Sequence, residues 1–579
     1  MTRSSSETDL RSWAGSGAAA IRISCPLLAI LLCTTGLIGQ ESSVYKITGI
    51  VVNERGGAPV PKCHLTAAQS GAAAPQRSRR QRNQVDGPSA DTDASGHFTL
   101  VVPSAGGWQL FAYSRGFRQQ AYDRHEGFFS AVILTPAAPT YDLTFKLEPD
   151  SAVTGFVHDE AGEAVRNARV TLFAAEPSNP EAAWGSGSIR GSTATDDCGH
   201  YEFASLAPGE YTVGVQAEPW YAAGSQGRRF SAISGPPPDP SLDVIYPQTW
   251  FPGVTDRRSA EALTLSHGEV RQADFSLTPQ PATHLRISPP PASVPGGPRG
   301  QIFPQVERIS SDGLPFFNTS VQIDPQGQID VGGLSPGLYR ITLQGSVGTS
   351  APAFLRVPSG SQHTVDLSAA IPVAEITLRF DSDADRIQVI LTDVDTGATF
   401  VSYAQGNLQR RPNSGPVAPS GGDRKLEVPP AHYRVTLSGD NDIYLAALSL
   451  KDTGVAGRVI TVGSGSTTLN LKLTKGRASV RGVVSLDDKA LPGAMVMLVP
   501  ATFGQPESIT VLRRDQTNTN GSFLIENIIP GDYILLAIEN GWTVNWHDPS
   551  TLAHFLLHGI PVSLQANASL KQDLAAQKP

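Results

Sequence analysis

The sequence is short of charge. Asp, Glu, Lys and Arg together make up 17% of it, below the ~25% usual for soluble domains. The net charge is −8 at pH 7. A protein that neutralises phosphates needs a basic surface, so this balance excludes nucleic acid as the partner. Cysteine is also scarce, with four in 579 residues, too few for a disulfide framework. No His-Glu-x-x-His, Gly-rich phosphate loop or dinucleotide fingerprint occurs, which removes the familiar zinc-peptidase and nucleotide-binding classes. Beyond the first 40 residues no apolar run is long enough for a membrane-spanning helix.

Glycine and proline are plentiful, 56 and 45 residues, as in chains of many short strands and turns. Residues 1–40 read as a secretory signal. Arg11 and Arg22 precede an apolar run from Pro26 to Leu32 and on to Ile38, with small Gly36 and Gly39 before a cut at Gln40 or Glu41. Cys25 and Cys33 leave with it. Cys63 and Cys198 fall in different repeats of the remaining chain, so a bridge between them would cross modules.

One stretch organises the rest: Thr195-Asp196-Asp197-Cys198-Gly199-His200-Tyr201-Glu202-Phe203, then Leu206-Ala207-Pro208-Gly209-Glu210-Tyr211-Thr212-Val213. Asp196 can bond its own backbone two residues on, Gly199 can take the positive φ of a turn, and Pro208-Gly209 makes a second turn. Tyr201 and Phe203, like Tyr211 and Val213, are two apart and share a strand face. The spacing predicts hairpins with one apolar face. The unit recurs at Thr517–Leu535, at Asp91–Leu110, at Asp324–Ile341 and, much altered, at Leu426–Val435, where Pro429-Pro430-Ala431-His432 stands for Leu-x-Pro-Gly. Upstream, Gly155-Phe156-Val157 and Ala164–Leu172 match Gly49–Val51 with Pro59–Leu65, and Gly482–Val484 with Leu491–Leu498. Alternating strands such as Leu143–Leu147, Phe275–Leu277 and Leu469–Leu473 close the units.

Gly-x-Val, Pro-Val-x-x-Ala-x-Val-x-Leu, Thr-Asp-x-x-Gly-x-Tyr-x-Phe and Leu-x-Pro-Gly-x-Tyr-x-Val resemble the carboxypeptidase regulatory-like domain. The resemblance implies a small prealbumin-like (transthyretin-like) sandwich, close to starch-binding-like domains. It implies an accessory module and no reaction. The expected fold is all-β, a tandem array of about five prealbumin-like or Ig-like antiparallel sandwiches. Their limits are 44–149, 150–281, 282–370, 371–475 and 476–579, the third and fourth being degenerate. Short or Pro-rich linkers, such as Pro289 to Pro298, predict an elongated string.

Module two carries the richest insertion: Trp220, Tyr221, Tyr246, Trp250 and Phe251. Flat rings on a loop stack on sugars, so these five are the candidate ligand-binding residues. Module five has Trp542 and Trp546 at the equivalent place and module one Phe117 and Tyr122, a recurrence that also suits structural plugs. Other matches carry less. Gly333-Leu334-Ser335-Pro336-Gly337 fits a nucleophile elbow, but the repeat accounts for it. His554 and His558 are spaced for one helix face without a carboxylate between them. Asp91-x-Asp93-x-x-Gly96 and Asp381-x-Asp383-x-Asp385 lack the closing Glu of a calcium loop. Arg77 to Arg82 is a basic loop. The sequence therefore points to an exported protein without catalysis, cofactor or metal, located in the periplasm, at the cell surface or outside the cell. It acts in surface binding or assembly, with carbohydrate binding as the alternative. The partner is left open between a polysaccharide and a cell-surface protein.

Overall fold

The computed structural model describes residues 44–579 except 71–86, 175–187, 223–229, 233–238, 289–301, 310–319, 324–327, 346–347, 359–363, 383, 385, 403–422, 441, 452, 456, 504–511 and 547. The signal segment, the basic run at 77–82, the prolines at 289–298, the module-three turn at 324–327 and two of the three aspartates at 381–385 lie outside the described residues. Among the described residues the regular structure is nearly all strand, with one α-helix, Pro549–Leu556. Among the described residues no helix is long and apolar enough to cross a membrane.

Five times the chain builds a pair of sheets on one plan. In module two, Ser151–His158 pairs antiparallel with His200–Leu206 and parallel with Val270–Gln272 and Phe275–Ser276. The second sheet centres on Arg169–Ala174 paired with Gly209–Gln216. Module one repeats this with Tyr45–Asn53 between His97–Val102 and Thr140–Leu147, and His64–Gln69 against Gly106–Tyr113. The modules at Thr283–Ile287, Ala374–Phe380 and Ala478–Leu486 follow suit. The antiparallel sandwich is therefore mixed in each module, where first and closing strands run parallel, and Phe230–Ala232 adds a second parallel pairing, with Val321–Ile323 of module three.

That parallel pairing explains the leading Gly of Gly-x-Val. A Cβ on Gly49, Gly155 or Gly482 would lie 1.9, 2.1 or 1.9 Å from a closing-strand carbonyl oxygen. Only glycine permits this approach.

The two turns of the repeat are not hairpins. The strands before and after Asp-x-x-Gly, Ser188–Ala194 and His200–Leu206, belong to opposite sheets, and Leu-x-Pro-Gly carries the chain back across. Both are arches. Period two could not reveal this, because an arch and a hairpin leave the same alternation on either side. Tyr201, Phe203, Tyr211 and Val213 therefore meet in one core from facing sheets.

The second arch of each module is pinned by the aromatic residue two after the repeat's glycine position, which is Ala431 in module four. The hydroxyls of Tyr211, Tyr339, Tyr433 and Tyr533 donate to the carbonyls of Ala207, Ser335, Pro429 and Ile529, four residues back, at 2.8, 2.8, 2.6 and 2.5 Å. In module one the indole of Trp108 donates to Ser104 O in the same way at 3.1 Å. A buried hydroxyl or indole needs such an acceptor. Module four, which has lost the Pro-Gly, keeps this bond.

A buried threonine joins the two sequence signatures. Thr195 donates to Val165 O and accepts from Ala168 N, at 2.6 and 2.9 Å. Thr92 does the same with Val60 and Cys63, and Thr517 with Leu491 and Ala494. Cys63 is a free, buried thiol pushed up to about 11 by desolvation, and Cys198 is free and exposed.

Candidate functional site

The loop after the second arch is where the aromatic residues gather. In module two Tyr246, Trp250 and Phe251 of this loop pack back onto their own sandwich. Trp250 is 2% exposed. It packs on Phe173 at 5.3 Å, and its ring lies so near Gly214 that a Cβ there would be 2.9 Å away. Arg257 caps the pair, 4.5 Å over Phe173 and 5.2 Å over Trp250. Tyr246 is 5% exposed, and half-buried Phe251 meets Phe275 edge-on at 6.1 Å.

The remaining two rings are at the surface. Trp220 is 76% exposed and stands perpendicular to Tyr221, their planes 88° apart and centroids 5.7 Å apart. The Tyr221 hydroxyl donates to one oxygen of Glu160, and Tyr246 donates to the other at 2.7 Å. Burial works to raise the Glu160 carboxyl, but these two donors outweigh it and hold it below its ordinary range. The Tyr221 hydroxyl is pushed up to about 12 by desolvation and by the carboxylate it binds. The five rings expected from the sequence are thus neighbours without forming one flat platform. Tyr246 and Trp250 have their faces covered by packing, and Trp220 is the ring left facing solvent.

In module five the equivalent loop meets another module. Trp542 donates to Gly493 O at 2.9 Å, and its face carries His125 of module one, 5.3 Å away and 8° from parallel. Phe128 packs at 5.5 Å on the same indole. Buried Trp546 lies with Phe555 and Leu552 beneath the helix Pro549–Leu556, and Arg514 sits 4.1 Å over its ring. Arg514, itself buried, donates to Glu126 Oε2 at 2.6 Å.

Around this stack the modules share a hydrogen-bond lattice. Ser130 donates to Thr517 O at 2.8 Å, Ala131 N to Asn518 Oδ1 at 2.9 Å, and Ile133 N to Thr519 Oγ1 at 2.9 Å. Thr519 N donates back to Ala131 O at 3.1 Å. The Gln516 amide donates to Asp123 Oδ2 and Ser130 Oγ, at 3.0 and 2.9 Å. Modules one and five are therefore docked, which an extended string forbids.

One rim contact of the docking traces to a substitution within the repeat. Asp196 spends Oδ1 on its own turn, accepting from Cys198 N and His200 N at 2.9 and 2.8 Å. Asp93 does likewise with Ser95 and His97, and those two bonds hold its carboxyl low. At the same position module five has Asn518, whose carbonyl turns outward to module one, while Asn520 takes over the turn bond from Ser522 N. In the calcium-like Asp91-x-Asp93 spacing Asp93 serves the turn, while Asp91, at the end of strand Ser89–Asp91, pairs across the sheet with His64 at 2.8 Å. None of Asp123, Glu126, Ser130, Arg514 or Gln516 belongs to a repeated motif. Their only sequence signal was Asn518 where Asp stands in modules one and two.

Ser335 is fully buried against the Tyr339 hydroxyl at 3.2 Å. The His554 and His558 rings lie edge to face, 6.2 Å apart. At the joint of modules two and three, His284 bridges Asp243 and Asp330, at 2.9 and 2.6 Å.

Residues 152–233 match the model of the carboxypeptidase regulatory-like domain, so module two contains a member of that family. No curated protein sequence matches the chain. Among solved structures it is similar to the Bacillus anthracis TIE protein, 9% identical over 89% of this chain and 68% of that one, with a TM-score of 0.15. It is also similar to GBS52, the minor pilin of Streptococcus agalactiae, with 11% identity, 41% and 97% coverage and a TM-score of 0.20. BcpA, the major pilin subunit of Bacillus cereus, is 11% identical, with 74% and 99% coverage and a TM-score of 0.13.

Proposed function

We propose that the chain is an exported, non-enzymatic protein of surface binding or assembly, whose working parts are loop surfaces at the ends of its sandwiches. The carrying observation is the use made of module five's aromatic loop, which holds another module through His125 and Trp542. A loop that docks a sandwich within the chain is chemically suited to dock one on a neighbouring protein. The other clusters singled out in the sequence are engaged in turns, caps or packing, which supports a scaffold over a reaction centre.

Carbohydrate binding is the second reading, and exposed Trp220 favours it. A single indole can stack on one sugar ring, with Tyr221 as a perpendicular wall. The test is a binding screen of residues 41–579 against polysaccharides and purified cell-surface proteins, beside Trp220→Ala. A protein partner bound equally by both forms supports assembly. Polysaccharide binding that the variant loses supports the second reading. Chemical turnover of any ligand overturns the non-enzymatic reading.

A further inference from the structure

The joint of modules one and two brings together three groups that the folding of neither module explains. Glu54 and Glu148 each follow a strand, Tyr45–Asn53 and Thr140–Leu147, whose last residues are parallel partners. Their carboxylates therefore emerge side by side. His267 comes from module two, in the turn before Val270–Gln272. Ser151 fixes that turn by donating to Ser266 O and accepting from Gly268 N, at 2.8 and 3.0 Å. His267 Nδ1 lies 3.1 Å from Glu54 Oε2 and 3.9 Å from Glu148 Oε2, and one ligand atom from each of the three falls within 4.8 Å of the others.

Glu148 is 9% exposed, and its Oε2, aimed into this triangle, is buried without a hydrogen-bond partner. Arg118 Nη1 pairs with it at 3.7 Å, an ion pair too long for a hydrogen bond, and is also buried without a hydrogen-bond partner. A buried carboxylate oxygen without a hydrogen bond is costly even beside an ion-pair partner, so such an oxygen points to a ligand. The spacing suits a small cation. Bonds of about 2.0–2.1 Å at a tetrahedral metal put ligand atoms about 3.4 Å apart, and the two distances from His267 bracket that. One imidazole with two carboxylates suits zinc and similar transition ions, whereas calcium takes oxygen ligands in larger number.

We propose that Glu54, Glu148 and His267 form a binding site for a divalent transition-metal ion, zinc fitting best, which staples module one to module two. The ion takes up the charge of Glu148 Oε2, and Arg118 keeps Asp150 as a second acidic neighbour.

The test uses the full chain stripped with chelator, then titrated with zinc against a chromophoric competitor and with cobalt followed by its visible spectrum. One equivalent is expected, with a rise in melting midpoint. His267→Ala and Glu54→Gln, both at exposed positions, should each weaken binding at least tenfold and abolish the rise. Glu148→Gln serves as the buried counterpart, and His554→Ala controls for the histidine pair on the helix. No stoichiometric binding, binding unchanged by the first two variants, or binding lost instead with His554→Ala overturns the proposal.

Discussion

His125 of module one lies flat on Trp542 of module five, centroids 5.3 Å apart and planes 8° from parallel. The indole also carries Phe128 and is anchored through Gly493. Trp542→Ala removes the centre of this contact, at a cost of roughly 2–4 kcal/mol. Fluorophores on modules one and five should separate in the variant while circular dichroism stays unchanged. An unaltered distance distribution would refute the role given to the stack.

Asn518→Ala acts at the rim of the same face. It leaves the Ala131 N–H without its acceptor, which costs about 1–3 kcal/mol when the group stays buried. Amide exchange at Ala131 should quicken, with little change in the strand Ser151–His158 of module two. Equal change in both places would mean that Asn518 supports folding in general.

Thr195→Val keeps the shape and removes two hydrogen bonds, orphaning Val165 O and Ala168 N. The expected loss in module two is roughly 2–4 kcal/mol. Urea denaturation read by exchange in Arg169–Ala174 measures it. Thr195→Ser, which keeps the hydroxyl, should recover most of the loss.

His284 gives the joint of modules two and three a pH dependence. Its hydrogen bonds to Asp243 and Asp330 raise it from 6.5 to about 10, against the opposing effect of burial. Because the folded value is raised, the stabilisation is complete below about 6.5 and is lost as pH rises through about 10. Melting curves from pH 7 to 11 should show this loss in the wild type. The difference from His284→Gln, which cannot carry the charge, should shrink over the same window. A constant difference would refute the linkage.

Much of the architecture was legible because it repeats. Gly155, Thr195, Gly199 and Tyr211 each recur at matching positions, and each recurrence has one steric or hydrogen-bonding cause. The route of the chain was not legible, since the alternation around Leu206-Ala207-Pro208-Gly209 is the same for an arch and a hairpin. The candidate site was legible only as a gathering of rings. Whether Trp250 lies on Gly214 or faces water depends on contacts between segments far apart in sequence, and periodicity does not record them. The same holds for His125 and Trp542, whose partnership lies outside both repeat signatures.

The contact between the first and last modules also has a mechanical meaning. Tension applied between them reaches the Ser130–Ile133 lattice and the His125 stack before it reaches any linker. The sandwiches between stay slack until that contact parts. Pulled at Val44 and Pro579, a single molecule should release a block of already folded length at low force. Cooperative rupture of individual sandwiches should follow at higher force, and Trp542→Ala should erase the first event alone. The docked modules would then work as a fuse that gives way early and spares the sandwiches behind it.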